Sequence, residues 1–293
     1  SQTIALASDM IRAGNADIVI AGGVESMSMV AMGGNKPIAY PGLMEVMPNA
    51  YAAMGTTAEV VARRFGITRE AQDEFAYNSH MKAVAALESG KFSDEIVPLD
   101  VRVRENGSWR DIHFDTDEGP RADTTVEGLA KLKPVFDPMG TVTAGNASQI
   151  NDGAAAVVIM GKDVADTLEL EPIAFVRHWA VAGVDPDIMG IGPVAAVPKL
   201  LDKTGLTLDD IDLVEINEAF ASQSVYCTNE LGLDPAKTNV NGGAIATGHP
   251  LGATGAVLTV KILGELKRTG GTRGIVTMCI GGGMGFAYLL EMA

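Results

Sequence analysis

Apolar residues fall on a helical spacing twice in this chain, each time just before a β-rich run that ends in glycines. Ile4, Leu6, Met10 and Ile11 form the first such pattern, which ends at Arg12-Ala13-Gly14. The run at 16–23 then closes on Gly22-Gly23, a buried strand by its length and composition. Near the other end, Val257, Val260, Leu263 and Leu266 predict one stripe of a helix over 255–268, stopped by Gly270-Gly271. Residues 274–282 repeat the strand that runs into Gly-Gly. Helix, glycine, strand and Gly-Gly thus occur at 4–23 and again at 255–282. Two copies of one supersecondary unit predict a duplicated α/β domain pair, against chance likeness of two short segments.

Between the copies the pattern changes. Residues 28–60 hold Met, Gly and Pro with little periodicity and read as loop-rich. A helix is predicted from Thr68, an N-cap with Glu70 in the first turn, to about 89–90. Residues 91–125 are charged and turn-rich. Small residues return at 141–160 and end in a strand over 154–160. Alternation then continues with a strand at 173–176, a helix at 194–203 before Gly205, a strand at 212–216 and a helix at 219–230 before Gly232. The class is α/β, and 28–125 reads as an insertion into the first half.

Composition narrows the function classes. The chain has 293 residues, 47% hydrophobic and 20% charged, as in a globular protein with a large core. No stretch approaches ~18 uninterrupted apolar residues, which argues against a membrane partner. A formal charge of -15 argues against nucleic acid, though a few local Arg and Lys can still hold a small phosphorylated ligand. Two cysteines far apart, Cys227 and Cys279, make no disulfide framework and point to a reducing compartment. The expected location is cytoplasmic, with an organelle left open. The chain opens at Ser1 inside a helix and without an initiator Met, so an N-terminal piece is expected to be absent.

Four segments combine reactive groups with glycine-rich backbone. Glu215-Ile216-Asn217-Glu218 lies at a strand-to-helix junction. There Asn217 reads either as a plain N-cap or as an oxyanion donor, and Glu218 as a first-turn acid favoured by the helix dipole. His249 stands among glycines, in a loop before a helix and next to Pro250. Packing explains this poorly, and imidazole is the natural acid–base group near neutrality. His80, His113 and His178 lack such framing and read as surface or structural groups. Cys279 opens Cys279-Ile280-Gly281-Gly282-Gly283 and reads as a nucleophile, an acid–base thiol or an inert buried side chain. Cys227, inside a helix, reads as core. The fourth segment, 143–153, is small and polar, suited to a tight turn or to a ligand's amides. Two Cys and one framed His lack zinc-site spacing, and neither a P-loop nor a Rossmann fingerprint is present.

Together, Asn217-Glu218-Ala219-Phe220, Asn241-Gly242-Gly243-Ala244 with Gly248-His249-Pro250-Leu251-Gly252, and Cys279-Ile280-Gly281-Gly282-Gly283 resemble the thiolase family in its expected order along the whole chain. The segments 143–148 and 22–27 add to the likeness. The resemblance implies a thiolase fold: two duplicated α/β halves in a five-layered αβαβα core, with an inserted loop domain that binds coenzyme A. The implied division is 1–27 and 126–168 for the N-terminal half, 28–125 for the inserted domain and 169–293 for the C-terminal half. It also implies ping-pong acyl transfer, with coenzyme A and acyl-CoA as substrates, no further cofactor and no metal. In that scheme His249 activates a nucleophilic cysteine, Asn217 holds a water of the first oxyanion hole, and Cys279 is the acid–base. The Gly281 amide serves the second hole. Arg121 and Ser148 contact the nucleotide and pantetheine parts of coenzyme A, while Met54 and Phe220 line the acyl end. A homodimer or homotetramer is implied by the same analogy.

The likeness has departures. The family's nucleophile lies just before the helix at which this chain opens, and neither Cys227 nor Cys279 takes its position. The 293 residues are therefore expected to lack it, and the native protein to be longer or this chain to be processed. Ala53 and Gln149 stand where many acetoacetyl-CoA thiolases carry His and Gly, which leans the chain toward degradative 3-ketoacyl-CoA thiolases. A biosynthetic acetoacetyl-CoA thiolase and a non-catalytic acyl-CoA-binding relative are the alternatives.

Overall fold

The structure, a computed structural model, describes residues 1–34, 36 and 38–293; Asn35 and Pro37, within the predicted loop-rich 28–60, lie outside the described residues. The chain opens with α1 (Gln2–Arg12) and β1 (Ile18–Ser26), followed by helices α2 (Pro41–Val46), α3 (Met54–Phe65) and α4 (Arg69–Glu88). A hairpin, β2 (Leu99–Glu105) and β3 (Ser108–Phe114), leads to α5 (Val126–Ala130), β4 (Asp152–Met160) and α6 (Lys162–Thr167). The second half runs through β5 (Ala174–Gly183), α7 (Gly192–Thr204), β6 (Leu213–Ile216), α8 (Ala221–Leu231) and α9 (Ala244–Thr247). It ends with α10 (Thr254–Thr269), β7 (Arg273–Ile280) and β8 (Met284–Met292).

The repeat is visible in the topology. β1 pairs antiparallel with β4, from Ile18 opposite Met160 to Ser26 opposite Asp152, so the chain leaves this sheet and returns to it around everything between. β7 pairs antiparallel with β8 in the second sheet, whose order is β5-β8-β7-β6, with β6 parallel to β7. α1 precedes β1 as α10 precedes β7, and both helices pack between the two sheets. Ile4, Ala7, Leu258, Ile262, Phe286 and Tyr288 meet there in one buried cluster. A second cluster, with Ala196, Val197, Leu200, Ile275 and Leu289, fixes α7 on the outer face of the four-stranded sheet. Helix, sheet, helix pair and sheet therefore stack as four layers. Among the described residues no helix covers the far face of β1 and β4, where Ile20 and Val24 are each 76% exposed.

Several expectations are corrected. The predicted stripes on the central helices are off: Leu6 and Met10 are exposed, and Ile4, Ala5, Ala7 and Ser8 are the buried residues of α1. On α10, Leu258, Ile262 and Leu266 are buried with Ala256, while Val257, Val260 and Leu263 are half-buried. A helix held between two sheets buries most of its circumference, so a single stripe describes it poorly. The strand predicted at 173–176 extends to Gly183, and residues 91–125 contain the unpredicted β2–β3 hairpin. α2, α3, α5, α6, α9 and β8 likewise fall outside the predicted elements. The helix beginning after Thr68 is as expected, with Thr68 Oγ1 accepting the Ala71 N–H at 3.2 Å.

Candidate active site

The parallel pairing of β6 with β7 ends with Ile216 opposite Thr277, and β7 runs on to Ile280. Ligands in open α/β sheets gather at such carboxyl ends. Asn217 follows β6 directly, and its N–H donates to the Thr277 carbonyl at 3.0 Å, two residues before Cys279 on β7. Asn217 is 1% exposed and does not cap α8, whose N-cap is Phe220, so the N-cap reading falls. The Glu218 expectation falls with it, since α8 starts three residues later. Glu218 is instead buried, accepting from Ser79 Oγ at 2.6 Å, Asn239 Nδ2 at 2.8 Å and the Ile245 N–H at 3.3 Å. A Cβ on Gly243 would lie 2.2 Å from the Glu218 carboxylate carbon, so this glycine lets the loop close on the acid. That network sets the start of the segment that delivers His249.

The His249 ring is held at both nitrogens. Nε2 lies 3.2 Å from Asn217 Nδ2, and Nδ1 lies 2.6 Å from Thr254 Oγ1. The Thr254 hydroxyl donates to the Pro250 carbonyl at 2.8 Å, which commits its one proton. Nδ1 therefore carries the hydrogen and donates to Thr254, while Nε2 presents its lone pair to the Asn217 amide. Burial holds the imidazole neutral, lowering its pKa to about 4. The remaining atom of this pair, Asn217 Oδ1, is buried with no hydrogen-bond partner among the described residues. Burial also pushes the Cys279 thiol up to about 11. Gly281 is exposed in the β7–β8 turn, with open space around its Cα, while Gly282 and Gly283 supply positive φ values of 86° and 93°. Cys227 is fully buried in α8, as expected of a core residue.

The substrate-side candidates lie on neighbouring segments. The Ser148 N–H donates to the Ala219 carbonyl at 2.9 Å, and Ala147 bridges Phe220. Phe136 packs edge-on against Phe220 with centroids 6.0 Å apart, and a Cβ on Gly55, next to Met54, would strike the Phe136 ring at 2.3 Å. Met54, Phe220 and Ser148 are thus brought to one region. The Arg121 N–H donates to His80 Nδ1 at 3.2 Å, which gives that buried histidine the structural role expected of it. Sequence reasoning assigned no role to Thr254 or Phe136. Thr254 lies five residues past His249 in the same glycine-rich stretch, which continues to Gly255, whereas nothing local marks Phe136. A cavity of about 1230 Å³ between α1, β4, β5 and α10 contains none of these side chains.

Residues 1–163 match the family model described as thiolase, N-terminal domain, and residues 170–292 the model described as thiolase, C-terminal domain. Over 296 residues the chain is 51% identical to a 3-ketoacyl-CoA thiolase of Bacillus subtilis, covering 99% of this chain and 76% of that one. It is 49% identical to an acetyl-CoA acetyltransferase of Chromobacterium violaceum, with coverage of 99% and 76%. The crystal structure of the dimeric peroxisomal thiolase of Saccharomyces cerevisiae aligns at a TM-score of 0.89 and 43% identity, covering 100% of this chain and 73% of the other.

Proposed function

Because this chain belongs to the thiolase family and has its fold, we propose that it takes part in ping-pong acyl transfer, cleaving 3-ketoacyl-CoA with coenzyme A in fatty acid β-oxidation. The observation that carries the reading is the buried Asn217–His249 pair at the end of β6, with Asn217 Oδ1 left unpaired among the described residues. Released from the Asn217 amide, the Nε2 lone pair of a neutral His249 takes the proton of an attacking thiol, and the resulting N–H then points at the oxygen on which charge develops. Asn217 Oδ1 holds a water that supplies the second donor. Cys279, protonated at neutral pH, gives its proton to the departing carbanion and regains one from the attacking coenzyme A. The Gly281 amide donates to the thioester oxygen in the second half-reaction. Neither Cys227 nor Cys279 is the attacking thiol in this scheme.

The loop bearing Arg121 faces the nucleotide of coenzyme A, Ser148 its pantetheine arm, and Met54 and Phe220 the acyl end. The inserted 28–125 segment supplies much of this surface. Ala53 and Gln149 favour the degradative direction. The Chromobacterium relative's name supports a second reading, acetoacetyl-CoA thiolysis or synthesis; rates on C4 and longer 3-ketoacyl-CoA separate the two. A homodimer or homotetramer in a reducing cytoplasmic or organellar compartment fits this activity. Asn217→Ala should lower turnover by about 10²–10³ while coenzyme A binding, measured by calorimetry, persists. Unchanged turnover would refute the role of Asn217.

A further inference from the structure

We propose that Gln149 is a positioning residue that couples the loop carrying Arg121 to the segment carrying His249. The inference rests on the coenzyme A reading of Arg121 given above. Gln149 Nε2 donates toward three carbonyls: Gly119 at 2.9 Å, Ile245 at 3.2 Å and Ala246 at 2.9 Å. An amide NH2 has two hydrogens, so one is shared between the adjacent carbonyls of α9. The Gln149 backbone carbonyl accepts the His249 N–H at 3.3 Å. One residue therefore grips the backbone two positions before Arg121, the helix before His249, and His249 itself.

The two segments also touch directly, because a Cβ on Gly119 would lie 2.3 Å from the Ala246 carbonyl oxygen. That carbonyl and Gly119 meet with no room between them, and the Gln149 amide closes the contact from the side. His80 holds the Arg121 N–H from the other direction at 3.2 Å. Displacement of Arg121 by a ligand on its loop is thereby transmitted through Gly119 and Gln149 to the backbone that aims the imidazole. Neighbouring Ser148 is fixed separately, through its N–H to Ala219, so this link does not pass through the pantetheine contact.

Gln149→Glu tests this, since it keeps the side-chain length but puts a carboxylate against three carbonyl oxygens. Two readouts apply. By calorimetry, Gln149→Glu should weaken coenzyme A binding about tenfold, as expected for two lost hydrogen bonds. In an Arg121→Ala background the same change should cost less than about twofold, because the tether then has nothing to position. An equal loss in both backgrounds overturns the coupling. By imidazole NMR, the His249 titration near 4 should move upward by about one unit as its loop admits water. An unmoved titration overturns the His249 arm. If Gln149→Glu does not fold, Gln149→Gly removes the amide without adding charge and is read the same way. A wild-type protein that binds no coenzyme A would defeat the functional reading, and the titration would still decide the tether.

Discussion

At the scale of single residues, the two cysteines and the framed histidine divide the chemistry by protonation state. A thiol raised to about 11 by burial stays protonated at neutral pH, which suits a proton donor and makes a poor nucleophile. Alkylation of Cys279 by iodoacetamide should therefore keep accelerating between about pH 9 and pH 10, following its thiolate fraction. A plateau below about pH 9 would mean an activated thiol and would sink the acid–base assignment. Cys279 was conspicuous in the sequence because a strand ran into glycines beside it. The environment that decides its role was not, since desolvation of the half-buried thiol depends on how β7 is packed in the folded sheet. Asn217 is the converse: its local context suggested a cap, and only the fold carries His249 from 32 residues away to its amide.

Among the elements, what could be read depended on whether the signal was local. Helix ends were legible at Gly205, Gly232 and Gly270, whose φ values of 68°, 66° and 72° place each in the left-handed region. The β2–β3 hairpin carries a local signal as well, although reading 91–125 as charged and turn-rich passes over it. Val101, Val103 and Ile112 alternate with charged residues around Asn106-Gly107, whose φ values of 50° and 84° form a turn of the kind that joins hairpin strands. The abundance of charge in 91–125 concealed that alternation. By contrast, nothing local marks Gly192 or Gly285. There the start of α7 meets the start of β8 so closely that a Cβ on Gly285 would lie 1.9 Å from the Gly192 carbonyl oxygen. Because both partners are backbone, neither side can yield by rotating a side chain. Gly285→Ala should cost roughly 3 kcal/mol of stability by chemical denaturation. A loss within about 0.5 kcal/mol, the range of an ordinary surface change, would show that α7 shifts freely on the sheet.

Over the whole molecule, the formal charge of -15 conceals a buried acid–base pair behind the site. Glu215 on β6 and Lys261 on α10 are 4% and 6% exposed, with Glu215 Oε2 3.8 Å from Lys261 Nζ. Lys261 also donates to the Gly242 carbonyl at 2.6 Å, which joins the pair to the His249 segment. Burial outweighs the attraction of Lys261 and raises Glu215 from 4.5 to about 7. The folded state thus binds an extra proton between pH 4.5 and 7, and this contribution to stability is lost as pH rises through that window. His249 acts oppositely: lowered from 6.5 to about 4, it contributes stability above 6.5 that is lost as pH falls through 4. Where the windows overlap the two slopes cancel, so the wild-type profile hides both groups. Glu215→Gln removes one of them. Its unfolding free energy relative to wild type should grow by roughly 3 kcal/mol from pH 4.5 to pH 7, the size of a shift from 4.5 to about 7. A difference constant with pH would mean that Glu215 is ionised in the folded protein, with Lys261 strong enough to hold its charge.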